Sequence, residues 1–262
     1  MENIIDVEYI FYGCSKLELL PDISKWNMKK VKSLKGIFSY CTSLTEIPDI
    51  SNWDVSNVTN MSEIFNQCNE LKSLPNFQKK WNTRSVKDMN HMFYDCKNLE
   101  EIPMISNGET NNLENISYLF SGCSDLKELH FLSNFDTSNV TNMSNIFDRC
   151  SSLSNSLDLS NLKTMNVSDM NNFFNECTSL KEILGLENWD VENVHNISKM
   201  FNGCSNLEKI SNISDWEVSN IDNMYRTFYG CSSLNVKPLI NKWNLENVKD
   251  KREMTIGCKD TN

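Results

Sequence analysis

The sequence predicts an α/β solenoid of about ten stacked 27-residue repeats, each a short strand plus a short helix. Two observations predict it: ten cysteines recur at an almost constant interval, and other residue types keep fixed distances from them. A unit this short cannot bury its apolar face alone, so neighbouring units must stack. We therefore expect residues 1–262 to form one continuous solenoid domain, with 249–262 as a degenerate terminal repeat or cap.

The cysteine spacing defines the repeat. Successive cysteines are 27 residues apart, except that Cys68 and Cys96 are 28 apart. A phenylalanine precedes nearly every cysteine by three residues, a leucine follows it by three, and tryptophans follow several of them by twelve. We interpret these residues as a structural ladder through the core. It includes Cys14, Cys41, Cys68, Cys96, Cys123, Cys150, Cys177, Cys204, Cys231, Phe65, Phe201, Trp53 and Trp189.

The segment before each cysteine predicts a short amphipathic helix. In one unit its apolar residues are Val58, Met61, Ile64, Phe65 and Cys68. At 100° per residue they fall within about a 120° arc, as the apolar stripe of a helix does. Asn57 directly precedes the first of them and is a preferred N-cap residue. Glycines directly before the cysteine, such as Gly122, favour a left-handed turn at the end of the helix.

The segment after each cysteine predicts a short strand, as at Leu44 to Ile47, because Pro48 and Asp49 interrupt any further helix. Parallel stacking would then place the strands along one side of the solenoid and the helices along the other. However, the apolar residues after the cysteine recur every three residues, which differs from the two-residue alternation of a simple strand. A solenoid without regular helices is the alternative.

The units WDVSNVTNMSEIFNQC and WDVENVHNISKMFNGCSNL resemble the BspA-like leucine-rich-repeat surface proteins. The resemblance covers essentially the whole chain and implies a leucine-rich-repeat-like fold. It also implies a non-catalytic protein that mediates protein–protein contact or adhesion, with a host, matrix or other protein as partner, at the cell surface or after secretion. No signal-peptide pattern opens the sequence, and reduced thiols persist best in the cytoplasm. The alternative is an intracellular interaction scaffold.

Charge and motif content argue against other function classes. A formal net charge of −10 disfavours nucleic acid as a partner, and no apolar run reaches the roughly 18 residues of a membrane-spanning helix. The cysteines include no C-x-x-C pair, and the three histidines occupy different repeat positions, so we expect no metal and no cofactor. No nucleophile elbow or phosphate-binding loop is present, so we expect no enzyme.

The predicted strands offer a candidate binding surface. Between their inward-facing leucine and isoleucine, two residues of each repeat should face solvent, and the second of these forms a partial acidic stripe. Stacked carboxylates would favour a basic protein partner, whereas the alternative is an ordinary solvated face. The candidate residues are Glu46, Ser73, Glu101, Glu128, Glu182 and Lys209.

Overall fold

The computed structural model describes residues 4–77, 81–103, 110–129, 132, 135–153 and 155–259. Within these residues, β1 (Ser156–Asp158), β2 (Glu182–Leu184) and β3 (Lys209–Ile210) form a parallel sheet in the order β1-β2-β3. Two short 3-10 helices span Leu186–Asn188 and Lys237–Leu239. The same part of the chain contains no α-helix. Most of the backbone is therefore organised by turns and by bonds between repeats.

The repeats stack in parallel. The residue eight positions before each cysteine forms a parallel β-bridge with its counterpart in the next repeat, from the second repeat to the tenth. In the first repeat, the N–H groups of Tyr9 and Phe11 donate to the carbonyls of Lys35 and Ile37, at 3.0 and 3.1 Å. All ten repeats are thus joined in one solenoid. The bridging residues are Ser33, Asn60, Asp88, Asn115, Asn142, Asp169, Asn196, Asn223 and Asp250.

The predicted terminal repeat, 249–262, continues this stack. The N–H groups of Lys249 and Asp250 donate to the carbonyl of Asp222 in the preceding repeat, at 2.8 and 3.0 Å. Residues 260–262 lie outside the described residues. That this repeat is a degenerate cap, and that residues 1–262 form a single domain, stay predictions.

The predicted helix before each cysteine is wrong. The N–H groups of Glu63, Phe65 and Gln67 donate to carbonyls of the next repeat, at 2.9, 2.9 and 2.6 Å. Between them, Asn66 and Cys68 donate to the carbonyl three residues earlier, which closes β-turns. An α-helix would use all these N–H groups within itself. The segment is therefore a run of turns stacked on the same run in the next repeat.

Two left-handed residues in each run exclude the helix. In the third repeat they are Glu63 and Gln67, with φ of 59° and 58°. In other repeats glycine takes the second position, and Gly122 has φ of 79°. The left-handed conformation predicted for these glycines is confirmed, although it closes a turn and not a helix. Turn residues with positive φ at regular intervals produce apolar residues about three positions apart. Over a few turns this spacing resembles the apolar face of a helix.

The asparagine predicted to cap the helix has another role. The Asn57 side-chain amide donates to the carbonyl of Lys29 in the preceding repeat, at 3.0 Å. In the next repeat serine occupies this position, and the Ser85 hydroxyl donates to the Ser56 carbonyl at 2.8 Å. These side chains join neighbouring repeats instead of capping a helix, so the N-cap prediction is wrong.

The predicted strand at Leu44–Ile47 has no strand assignment, although Thr45 N–H donates to the Glu18 carbonyl at 3.2 Å. The equivalent position does form strand in the later repeats, where Glu182 pairs with Lys209 and Ile183 with Ile210. Among the described residues, strands on this side therefore occur in three neighbouring repeats, and single parallel bridges join Glu101 to Glu128 and Asn235 to Lys259.

The core consists of stacked, equivalent side chains. The rings of Phe38 and Phe65 lie 5.7 Å apart at an interplanar angle of 15°, and this stacking recurs through the phenylalanines. The indoles of Trp26 and Trp53 stack at 6.1 Å and 3°. Trp53 Nε1 also donates to the Ile23 carbonyl at 3.0 Å. The stacking of equivalent residues explains why the register of the sequence is so regular.

Candidate functional site

The predicted ladder cysteines lie in the interior, except for Cys14, which is exposed. The other eight ladder cysteines, and Cys258 in the last repeat, each donate a thiol hydrogen bond to a phenylalanine carbonyl of the preceding repeat. The Cys68 Sγ lies 3.2 Å from the Phe38 carbonyl oxygen, and the Cys150 Sγ lies 3.1 Å from the Phe120 carbonyl oxygen. Cysteine combines a small volume with a donor, which fits this position.

Burial makes these thiols poor nucleophiles. It raises the pKa of Cys41 to about 11 and that of Cys204 to about 12. The pKa of Cys177 is raised well above its ordinary value for the same reason. Because the thiolate is the reactive form, buried thiols of this kind are structural. All ten cysteines are free, with no disulfide joining them.

The other predicted ladder residues are also internal. Phe65 and Phe201 have no exposed surface, and Trp53 and Trp189 are buried. Trp189 Nε1 donates to the Leu159 carbonyl of the preceding repeat at 3.4 Å, just as Trp53 Nε1 donates to the Ile23 carbonyl of its own preceding repeat. These residues therefore hold the scaffold, and a ligand must contact other side chains.

The predicted binding residues form what we call the strand row. All are exposed except Glu182, which is half-buried. Glu101 and Glu128 lie side by side, joined by a parallel bridge. With Lys72, Glu100 and Lys127 they line a shallow recess. The row consists of Glu46, Ser73, Glu101, Glu128, Glu182 and Lys209.

Lysines neutralise part of the strand row. Lys209 Nζ lies 2.6 Å from Glu182 Oε1, and its hydrogen bond lowers the pKa of that carboxyl group. Beside the row, Lys127 Nζ lies 2.5 Å from Glu100 Oε2 and lowers the pKa of Glu100 in the same way. The acidic stripe expected from the sequence is therefore interrupted by lysine at its C-terminal end. Its role in binding stays a prediction.

The structure places all seven tyrosines away from the strand row, on the surface formed by the stacked turns. We call this side, formed by the residues six, five, two and one positions before each cysteine, the turn face. The recurring residue pattern did not indicate this face, because tyrosine occurs in only some repeats. Counting each tyrosine from its cysteine would have found it. The tyrosines are Tyr9, Tyr12, Tyr40, Tyr94, Tyr118, Tyr225 and Tyr229.

The first tyrosine cluster lies in the N-terminal repeats. The rings of Tyr9 and Tyr12 are 5.5 Å apart and nearly perpendicular, and those of Tyr12 and Tyr40 are 5.3 Å apart. Together with Glu63 and Asn66 they line an open recess, which we call the tyrosine cage. Tyr12 is 53% exposed. Clustered rings beside a carboxylate and an amide can bind a ligand by stacking and hydrogen bonding.

A second cluster follows directly. His91 stacks on Tyr118 with 4.4 Å between ring centroids and contacts Tyr94 at 5.3 Å. Burial lowers the pKa of His91. Near the tenth repeat, the Arg226 guanidinium lies 5.1 Å from the Tyr225 ring and 4.6 Å from the Tyr229 ring. The turn face therefore carries aromatic groups near both ends of the solenoid.

The described residues contain no group of three or more His, Cys, Asp or Glu side chains that could hold a metal ion. His91 and His195 lie in different repeats, and His130 lies outside the described residues. In this part of the chain no helix is long and apolar enough to cross a bilayer. Two candidate surfaces therefore remain on the described residues, the strand row and the turn face.

The family model described as "Mycoplasma protein of unknown function, DUF285" matches residues 1–107, 75–184 and 155–262. These overlapping matches span the whole sequence. The chain therefore belongs to the DUF285 family. A search of curated proteins finds no match.

Three solved structures similar to this chain are leucine-rich-repeat proteins. One from Bacteroides ovatus has 18% identity over 87% of this chain and 68% of its own, with a TM-score of 0.33. That from T. pallidum has 16% identity over 95% and 78%, with a TM-score of 0.31. A leucine-rich cell surface protein from Faecalibacterium prausnitzii has 20% identity over 87% and 74%, with a TM-score of 0.29. Likeness at this level carries no conclusion, so the solenoid description rests on the bonds between repeats.

Proposed function

We propose that this protein is a non-catalytic binding protein that holds a protein partner on the turn face of a rigid solenoid. The observation that carries the proposal is the confinement of all seven tyrosines to that face. Tyrosine combines a large apolar ring with a hydroxyl group and is enriched at the centres of protein interfaces. A tyrosine that only filled the core would lie among the buried phenylalanines instead.

The finer proposal is adhesion at a cell surface, supported by the resemblance of the repeat units to BspA-like surface proteins. The second candidate is an intracellular interaction scaffold, which the ten free cysteines favour. Protease treatment of intact source cells separates them. Release of peptides around Trp53 or Trp189 from unbroken cells supports adhesion, and their release only after lysis supports the scaffold.

Site-specific photo-cross-linking in source cells tests protein binding itself. A benzoyl-phenylalanine replaces Tyr94 on the turn face, Glu101 on the strand row, or exposed Glu192 as a control. We expect a discrete protein adduct from the position of Tyr94 and none from that of Glu192. Adducts from neither face above the control would contradict the proposed function.

A charge-reversal variant then decides between the two faces. It carries E46K, E101K, E128K and E182K, all of which lie outside the turn face. Binding of the same partner persists in this variant if the turn face holds it. If the strand row holds it, binding is lost while the protein stays folded, and the strand row replaces the turn face as the site.

A further inference from the structure

The tyrosine cage contains a buried acceptor without a donor. Asn66 is only 7% exposed, and its Oδ1 atom has no hydrogen-bond partner in the structure. The same residue lines the recess between Tyr9, Tyr12 and Tyr40. Leaving a buried polar atom unpaired is costly, and a ligand that donates an N–H or O–H group removes this cost when the Asn66 amide turns toward the recess. The occupant of the cage should therefore be a hydrogen-bond donor.

The charge of the cage indicates which kind of donor. Glu63 lies at its edge, and the chain as a whole carries a formal net charge of −10. The flat faces of tyrosine rings attract cations, and a carboxylate strengthens that attraction. Lys35 already shows this at the rim, where its Nζ lies 5.8 Å from the Tyr9 ring centroid and 3.5 Å from Glu63 Oε1. A cationic donor fits this surface better than a neutral one.

The C-terminal end of the turn face shows how the fold holds a guanidinium group. There Arg226 lies against the rings of both Tyr225 and Tyr229, and its Nε donates to Glu253 Oε2 in the next repeat at 2.6 Å. The cage offers the same components, tyrosine rings and a carboxylate from a later repeat. Among the described residues, no arginine of the chain is seated over the ring of Tyr12.

We propose that the tyrosine cage binds an arginine side chain of a protein partner, with the guanidinium stacked on Tyr12 and Tyr40 and its N–H groups directed to Glu63 and, once the Asn66 side chain turns toward the recess, to Asn66 Oδ1. This inference rests on the proposed function and names the chemistry of the partner. Arginine suits the cage better than lysine because its planar group stacks and donates in several directions at once. Lys35 competes for the same carboxylate, so its removal should favour the ligand.

A titration with a short peptide tests the proposal on the full chain. The probe is acetyl-Gly-Ser-Arg-Gly-Ser-amide, with lysine and citrulline versions, and the readout is the ring NMR signals of the tyrosines together with the Kd. We expect the arginine peptide to shift the signals of Tyr12 and Tyr40, and the neutral citrulline peptide to bind at least about tenfold more weakly. Equal binding of arginine and citrulline peptides, or no shift of these signals, overturns the proposal.

Three variants make the test specific. Tyr12→Ala removes an exposed ring and should weaken the arginine peptide about tenfold, whereas Lys35→Gln should strengthen it. Tyr229→Ala is the matched control, because the chain's own Arg226 covers that ring, and it should leave binding unchanged. Equal loss in Tyr12→Ala and Tyr229→Ala would show that the cage is not the site.

Two further outcomes separate this inference from the proposed function. If cross-linking at the position of Tyr94 yields a protein adduct but the peptide does not bind, the inference is wrong and the proposed function stands. If sedimentation equilibrium shows self-association that Tyr12→Ala abolishes, the occupant is a second copy of this chain, which also overturns the proposal.

Discussion

The two sides of each repeat differ in how they are joined to the next. Between the second and third repeats, the N–H groups of Leu34, Gly36, Phe38 and Tyr40 all donate across the turn side, at 2.8 to 3.0 Å. On the strand side, the same two repeats are joined through Lys72 N–H at 3.4 Å. Between these two repeats the turn side is thus bonded at every second residue, whereas the strand side is bonded sparsely. The backbone, more than the side chains, holds the turn side together.

A backbone that carries the stacking leaves its outward side chains free to vary. Five positions before the cysteine, the ten repeats place Tyr, Gly, Glu, His, Asn, Lys or Arg, although every one of these residues has a positive φ. Inward positions are far more uniform, with phenylalanine three residues before nearly every cysteine. Residues that contact a partner can therefore vary on the turn face without disturbing the stacking of the repeats, which is why we place the partner there.

High pH should disrupt the turn side most strongly. Burial raises the pKa of the nine internal thiols, including Cys41 and Cys258 to about 11. A raised pKa stabilises the fold fully below about pH 8.5, the pKa of an unfolded thiol, and this contribution is lost as the pH rises toward the folded pKa. Between the unfolded and the folded pKa, each thiol lowers the free energy of unfolding by about 1.4 kcal/mol per pH unit. Nine thiols together lower it by about 12 kcal/mol per unit, which is comparable to the whole stability of a domain.

We therefore expect unfolding between about pH 9 and 11, followed by tryptophan fluorescence. Mass-spectrometric mapping of thiol alkylation provides the control. Exposed Cys14 should react in the folded protein at pH 8, and the nine buried cysteines should react together only through the unfolding transition. A protein that stays folded above pH 11 with its buried thiols unlabelled would show that thiol ionisation is not linked to unfolding.

Core truncation should affect the turn side more than the strand side. Phe147 has no exposed surface and stacks on Phe120 and Phe174 at 5.7 and 5.4 Å, so Phe147→Ala should lower the free energy of unfolding by about 4 kcal/mol. Leu157 in β1 is 6% exposed, and Leu157→Ala should cost about 2 kcal/mol. Urea unfolding of both variants measures the difference. A larger loss for Leu157→Ala would reverse our ranking of the two sides.

The sequence predicted burial correctly and backbone geometry incorrectly, for a physical reason. Val58, Met61 and Ile64 are all buried, as their spacing indicated. However, an apolar pattern reports which residues face the core and not which hydrogen bonds their backbone makes. The residues that redirect the chain, Glu63 and Gln67, are not glycines, so nothing in their identity indicated positive φ.

The candidate site was predictable only in part. The strand row is exposed, but the pairing of Glu182 with Lys209 depends on side-chain positions in adjacent repeats. The tyrosine cage combines Tyr12 of the first repeat, Tyr40 of the second and Asn66 of the third. Such a site is visible only when the repeats are aligned and then stacked, because none of its residues belongs to the recurring pattern.

The same substitution, glutamate to glycine, should change the free energy of unfolding in opposite directions on the two sides, and by less than the core truncations do. Glu176 is exposed and left-handed, with φ of 59°, at the position where other repeats have glycine. Glu176→Gly relieves about 1 to 2 kcal/mol of backbone strain and loses about 0.5 to 1 kcal/mol through the more flexible unfolded chain. The net expectation is a gain of about 0.5 to 1 kcal/mol in the free energy of unfolding.

The matched change on the strand side is Glu208→Gly, which starts from the same exposed residue type without a positive φ. Only the entropic cost remains there, so we expect a loss of about 0.5 to 1 kcal/mol. Urea unfolding midpoints should therefore move up for Glu176→Gly and down for Glu208→Gly. If both moved down, strain at the left-handed turn positions would be smaller than this difference requires. The variability of the turn face would then cost the fold almost nothing, which would strengthen its suitability for recognition while removing glycine as a stabilising choice.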